Sequence, residues 1–519
     1  ASDVYKSEPQ QVCEAAFAAI RKAKELIDMR GHHGEHPRMG ATDVCPLVPV
    51  ANITMEETVK YARALAQRVG EELEIPVYCY EAAASTPERK NLAVVREGEY
   101  EGLANKLANP NMKPDFGPDQ WNESVAKSGA SVIGARDFLL AVNFNLNTTS
   151  TRRANAIAFD VREKGRVKRE GNPITGKKVL DENGHEVMIP GTLKGTKAIG
   201  WFIKEYGIAQ VSMNITDMNA TPLHVAFEEV CAKAAARGVR VTGTEIVGLV
   251  PKVVLVNAGK YFLAKQNRSA GIAESEIIKI AVRSMGLDNL GAFNPQEKVI
   301  EYLIADKTEK LVDMTCDGFA EETASESPAP GGGSISAYMG ALGAALGTMV
   351  ANLSAHKPGW DDHWEFFADY AAEGHEIMSE LLHLVDDDTA AFNGIMAVFG
   401  MPKSTPEEKA ARAEAMEKAT LYATEVPLHT MQCAFRAFPV IKAMAEHGNP
   451  NSVSDAGVGA LATRSAILGA FLNVKINAAG LKDREKAEKL INEAQLIADQ
   501  AMVLETEILK TVNSIIDKN

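Results

Sequence analysis

Two stretches of this 519-residue chain carry side chains suited to proton transfer, and a third offers a ligand loop. In HHGEHPRMG, His32, His33 and His36 surround Glu35. An imidazole titrates near neutral pH, so a histidine beside a carboxylate can take up and return a proton. His32 and His36 stand four apart, the spacing of two metal ligands on one helical face, but Gly31, Gly34 and Pro37 exclude a helix there. No metal is expected. Spacing alone leaves open whether the stretch transfers protons or is a solvated loop.

The second stretch is Asp386, Asp387 and Asp388. Three like charges in a row usually mark a solvated face, but helical register separates them. Leu381, Val385, Phe392 and Ile395 form an apolar stripe, and Asp388 falls on it. A carboxyl there is drawn towards low dielectric beside other carboxylates, and both effects disfavour ionisation. A general acid is one outcome. A buried aspartate satisfied by a helix N-terminus or an arginine is the other.

The third stretch, Pro330, Gly331, Gly332, Gly333 and Ser334, opens a long uncharged helix whose first N–H groups are free to meet a ligand. It is not a phosphate loop of the usual kinds, because no lysine follows the glycines and no strand precedes them. A tight helix-packing turn remains the alternative. The uncharged run 335–353 is long enough to span a membrane, yet Gly340, Gly343, Ala344 and Gly347 give it a small-residue face. A buried helix in close backbone contact is the expectation, and that face suits a core or an interface equally.

The elements that must position these groups change character at the glycines. Upstream, the chain reads as a strand end, helix 10–29, strand 43–50, helix 54–73 opened by a Thr54/Glu57 capping box, and strand 75–80. Residues 104–136 read as a long irregular loop. A fresh β-α-β-β-α-β cycle follows: strand 138–146, helix 150–165, strands 198–206 and 208–215, helix 222–238, strand 239–249. Residues 172–192 form a polar hairpin excursion within it. Downstream, helices cover 361–399, 405–447, 454–478 and 483–516. The expected fold is an α+β N-terminal half of two ferredoxin-like βαββαβ-type subdomains, the first lacking its opening elements, followed by an all-α helical-bundle domain. The expected boundaries are 1–137, 138–304, a linker at 305–310, and 311–519.

The formal net charge of -14 argues against nucleic-acid or anionic-membrane partners. An anionic substrate must then be met by local cations. Six cysteines without paired spacing fit reduced thiols in a cytoplasmic protein.

The runs LIDMRGHHGEHPRMGATDVCPLVPV, PDFGP, GLVP, PAPGGGS and LVDDDTAAF, in that order, resemble the bifunctional formimidoyltransferase-cyclodeaminases of histidine breakdown. The similarity spans both halves. It implies transfer of a formimidoyl group from N-formimidoyl-L-glutamate to N5 of tetrahydrofolate. It also implies closure of the product to 5,10-methenyltetrahydrofolate with loss of ammonia. Tetrahydrofolate, with or without a polyglutamate tail, is thus the implied co-substrate, and a homo-oligomer built from dimers the implied assembly. By motif, the family's transferase histidine falls on His36 and its cyclodeaminase aspartate on Asp388. Its folate-binding segment falls on Gly117, Pro118, Asp119, Gln120, Trp121, Asn122, Glu123, Ser124, Val125, Ala126, Lys127, Ser128 and Gly129, where this chain carries extra residues. Phe116 and Trp121 could stack on a pterin, and Arg136 or Lys127 could meet a carboxylate. The family begins with a further strand, helix and strand bearing Val-Pro-Asn-Phe-Ser-Glu-Gly, which predicts an incomplete transferase pocket. A cyclodeaminase or cyclohydrolase alone, or a non-catalytic scaffold, are the alternatives.

Overall fold

The computed structural model describes residues 8–33, 38–171, 175–305 and 310–518. His36, Glu35 and most of the expected linker lie outside the described residues. By packing, the chain divides into two compact units: residues up to 254 with 285–305, and 255–284 with those from 310 onwards.

The first unit holds two sheets. After helix Pro9–Leu26 come strand β1, Val44–Leu47, helix Met55–Leu73 and strand β2, Val77–Glu81. Thr54 and Glu57 form the expected capping box. Strand β3, Ser131–Ala135, lies inside the stretch read as a loop, and it is the centre of the sheet, in the order β1-β3-β2. All five of its residues are buried, so no polar alternation betrays it, and Ser131 and Gly134 dilute its apolar signal. Both pairings are parallel, whereas the βαββαβ unit expected here is antiparallel. Neighbouring strands are joined through long crossovers rather than hairpins, which allows parallel pairing.

The second sheet follows with strand β4, Leu140–Leu146, and helix Thr151–Val161. Two-residue strands β5, Arg166–Val167, and β6, Met188–Ile189, pair as the base of the expected hairpin excursion. Its tip is closed by Asp181, whose side chain accepts from the Asn183 and His185 amides. Then come strands β7, Thr196–Ile203, and β8, Ile208–Ile215, helix Leu223–Ala235, and strand β9, Val241–Val247. The order is β7-β8-β4-β9, antiparallel throughout. Helix Thr151–Val161 covers one face, where Asn155 exchanges hydrogen bonds with the Gly200 backbone at 2.9 and 3.0 Å.

The second unit is helical. Its long members are Gly332–Ala355, Trp364–Phe399, Pro406–Phe435, Ala437–His447, Val453–Ala478 and Arg484–Ile516. The expected single helix 405–447 is two, broken at Arg436. Pro439 explains the break, since its ring would clash with the carbonyl four residues earlier in a continuous helix. Residues 255–284 also pack with this unit, although the sequence reading kept them with the second subdomain. Helix Gly332–Ala355 is long and apolar enough to cross a membrane, but its glycine face is packed against neighbours. A Cβ on Gly343 would lie 2.3 Å from Thr463 Oγ1, and one on Gly347 3.1 Å from Ile441 Cγ1. The small-residue face is therefore part of the unit's core.

Candidate active sites

Helical geometry sends the three neighbouring aspartates to three different places. Asp386 accepts a 2.8 Å hydrogen bond from the Leu311 amide, and burial raises its pKa. Asp387 is exposed and faces Tyr422, whose pKa is raised by burial and then by that charge. Asp388 turns to the glycine loop. Ser334 donates its hydroxyl to Asp388 Oδ2 at 2.9 Å, and the Ser334 amide donates to the same carboxylate. Thr389 Oγ1 lies 3.4 Å from the Ser334 hydroxyl. Burial lifts the Asp388 pKa above the ordinary aspartate value, and the two Ser334 bonds oppose that rise.

Asp388 thus sits at the N-terminus of helix Gly332–Ala355, which satisfies part of its charge. The geometry matches the reading of an aspartate satisfied by a helix N-terminus, and burial, opposed by the Ser334 bonds, raises its affinity for protons. The glycines make the approach feasible. A Cβ on Gly333 would stand 2.0 Å from Asp388 Oδ1, whereas one on Gly332 would meet only the Asn473 amide at 3.4 Å. Gly331 caps the helix without a side-chain bond. The loop therefore cradles a protein carboxylate; the sequence placed Gly333 in the loop without separating it from its neighbouring glycines, and did not point to Asn473. Asn473 sits on helix Val453–Ala478.

In the first unit, Arg38 donates to the His32 carbonyl at 2.8 Å and pairs with Glu101 at 2.7 Å, fixing one end of the histidine loop. The segment 117–129 has structural duties along its length. Gly117 and Gly129 have φ of +83° and +66°, and a Cβ on either would run into backbone. Asp119 pairs with Lys113, Glu123 pairs with Arg30, and Asn122 caps the short helix Glu123–Ser128. Val125, Ala126 and Ser128 are buried. Lys127 donates to the Glu25 carbonyl at 3.3 Å. Phe116 packs against the core with Arg63 over its ring, so it anchors the loop. Trp121 remains 42% exposed beside Tyr100 and is free to stack on a planar ligand.

Arg136 lies at the carboxyl end of β3, where ligands of parallel sheets gather. It donates to the Asp137 carbonyl at 2.8 Å and reaches the Tyr80 hydroxyl. Next to it, at the end of β2, Glu81 holds a φ of +53°. Burial raises the Glu81 pKa, and Arg136 and Lys197 pull it down. Glu81 thus combines a left-handed backbone with half-burial among cations, a combination that no sequence pattern announces. Among the described residues, no three His, Cys, Asp or Glu side chains gather as a metal site.

The chain thus combines a sheet-bearing unit with a helical unit that holds a half-buried carboxylate at a glycine-led helix start. The Formiminotransferase domain, N-terminal subdomain, matches residues 4–136, the Formiminotransferase domain residues 141–305, and Formiminotransferase-cyclodeaminase residues 315–496. The chain belongs to the formimidoyltransferase-cyclodeaminase family. It is 42% identical over 479 residues to the Formimidoyltransferase-cyclodeaminase of Gallus gallus, covering 92% of this chain and 84% of that one. Each half also has a separate relative. The Glutamate formimidoyltransferase of Thermoplasma acidophilum is 42% identical over 271 residues, 52% of this chain and 80% of its own. The Methenyltetrahydrofolate cyclohydrolase of Methylorubrum extorquens is 37% identical over 200 residues, 38% of this chain and 96% of its own.

Proposed function

We propose that this chain carries out both reactions of its family, with the two sites in separate units. Formimidoyl transfer from N-formimidoyl-L-glutamate to tetrahydrofolate belongs to the first unit. Cyclisation of 5-formimidoyltetrahydrofolate, with release of ammonia, belongs to the second. The observation that carries the second assignment is the Ser334-held Asp388 carboxylate at the helix start.

In cyclisation, N10 attacks the amidinium carbon and must lose a proton, while the amino group must gain one to depart as ammonia. Asp388 takes the N10 proton and gives it to the leaving nitrogen. Burial raises its affinity for protons, and the Ser334 bonds oppose that rise and aim the carboxylate. Nothing is consumed, since the carboxylate is regenerated. In transfer, His36 takes the N5 proton as N5 attacks the formimidoyl carbon and returns it to the departing glutamate nitrogen. Arg136 receives a substrate carboxylate, residues 117–129 contribute to the folate site through Trp121, and no metal is required.

The domain reading that accompanies this function keeps 1–137, 138–304 and 311–519 as functional pieces joined at 305–310, with a ferredoxin-like order in the second. A cytoplasmic homo-oligomer built from dimers completes it. Exposed Leu342, Leu353, Leu461, Leu472 and Ile476 on helices Gly332–Ala355 and Val453–Ala478 support a partner copy there. An absorbance assay for methenyl-folate tests the whole, started once from formimidoyl-glutamate with tetrahydrofolate and once from formimidoyl-tetrahydrofolate. Product from both starts is expected. Product only from the second would leave a cyclodeaminase, and none from either a scaffold.

A further inference from the structure

One face of the four-stranded sheet is covered by helix, and the opposite face has an unusual composition. An antiparallel sheet that turns a face to water ordinarily carries exposed charged and hydroxyl side chains there. Here one cross-strand row reads Ile199, Ser212, Asn143 and Glu245, and the next Trp201, Gln210, Asn145 and Gly243. Asn145 and Gln210 are fully buried and Asn143 is 5% exposed, while Ile199 and Trp201 stand 50% and 37% exposed beside them. Buried amides among exposed apolar side chains describe a binding platform better than a solvated face.

The amides form a directed chain. Trp201 Nε1 donates to Gln210 Oε1 at 3.1 Å, and Gln210 Nε2 donates to Asn145 Oδ1 at 2.8 Å and to Glu245 Oε2 at 3.3 Å. Asn143 Nδ2 donates to Glu245 Oε2 at 2.9 Å. Gln210 and Asn143 thus both donate to one oxygen of a half-buried carboxylate, while Asn145 Nδ2 donates to Asn289 Oδ1 at 3.3 Å, and among the described residues Glu245 Oε1 has no hydrogen-bond partner. A carboxylate fixed in this way, with one oxygen to spare, is preorganised to accept N–H groups.

We infer that Glu245, held by Asn143 and Gln210, with the Trp201 indole bonded in turn to Gln210, is a specificity-determining residue that accepts the N–H donors of a planar N–C–N edge. This rests on the transferase reading above. Two substrates present such an edge: the 2-amino-4-oxopyrimidine ring of tetrahydrofolate and the formimidoyl amidine of the donor. The indole offers a flat surface beside either.

Glu245→Gln in the full chain is the test, with cyclisation of supplied formimidoyl-tetrahydrofolate and the melting temperature as checks on the fold. Loss of a charge-assisted bond should raise one KM for transfer by ~10- to 100-fold with cyclisation unchanged. A rise confined to tetrahydrofolate assigns the pyrimidine ring, and a rise confined to formimidoyl-glutamate assigns the amidine. Asn143→Ala, which loosens the carboxylate without removing it, should raise the same KM to a smaller extent. Unchanged KM values for both substrates overturn the inference, as does a fall in kcat alone. Titration of tetrahydrofolate against intrinsic fluorescence reads binding without turnover. If wild type and Glu245→Gln bind alike there, and wild type transfers with a KM for the donor that the variant leaves unchanged, Glu245 recognises neither. A wild-type chain that transfers nothing would instead remove the transferase reading, and this inference with it.

Discussion

At the scale of single residues, Asp388 carries the most consequence. Its folded pKa stands above its unfolded value, so the fold binds that proton more tightly. The resulting stability is present below the unfolded pKa and is lost as pH rises through the folded one. At neutral pH the half-buried charge is therefore a cost to stability. Asp388→Asn should melt no lower than wild type at neutral pH, with the gap closing in acid, while cyclisation falls by ~100-fold or more. Thermal melts across pH, beside the assay, check both. Because the carboxylate form starts the reaction, cyclisation should also fall as pH drops through the raised pKa. A rate that rises on acidification would favour a protonated Asp388 as the initial acid. Asp388 was legible in the sequence because helical periodicity separates it from its two neighbours, whereas Glu81 and Glu245 were not. Glu81 depends on a backbone torsion, and Glu245 depends on which of four strands lie side by side.

Among elements, the start of helix Gly332–Ala355 makes a discriminating pair of glycines. A Cβ on Gly333 displaces a side chain, the Asp388 carboxylate, so the fold should survive while the site does not. Gly333→Ala should therefore lower cyclisation at least about tenfold, with transfer and melting temperature nearly unchanged. Gly332→Ala meets only an ordinary contact and should be close to wild type in both assays. Equal effects from the two would return the loop to a packing turn. Further along, Gly343→Ala should destabilise the helical unit by about 1–3 kcal/mol, because its Cβ meets both Thr463 and the Gly459 carbonyl. Denaturant unfolding reads that loss. The helices were visible in the sequence because long apolar stripes persist for many turns. Strand β3 was not, since a short strand buried on both faces has no alternation and this one contains Ser131 and Gly134. Pro439 held the clue to the break at Arg436, and its position three residues into a helix hides it among tolerated prolines.

For the molecule as a whole, the central claim is that two chemistries are housed in two separately packed units and can be removed one at a time. The order of sheets followed by helices was legible from the change of periodicity at the glycines. The assignment of 255–284 to the helical unit was not, because membership in a core is decided by contacts far apart in sequence. His36→Ala should abolish transfer and leave cyclisation of supplied formimidoyl-tetrahydrofolate at the wild-type rate. The most direct test sets His36→Ala and Asp388→Asn side by side in the methenyl-folate assay, each started from both substrates, with formimidoyl-glutamate consumption followed in parallel. The account predicts that His36→Ala forms methenyl-folate only from formimidoyl-tetrahydrofolate. It predicts that Asp388→Asn consumes formimidoyl-glutamate yet forms no methenyl-folate from either start. Loss of both reactions in either folded variant would contradict it.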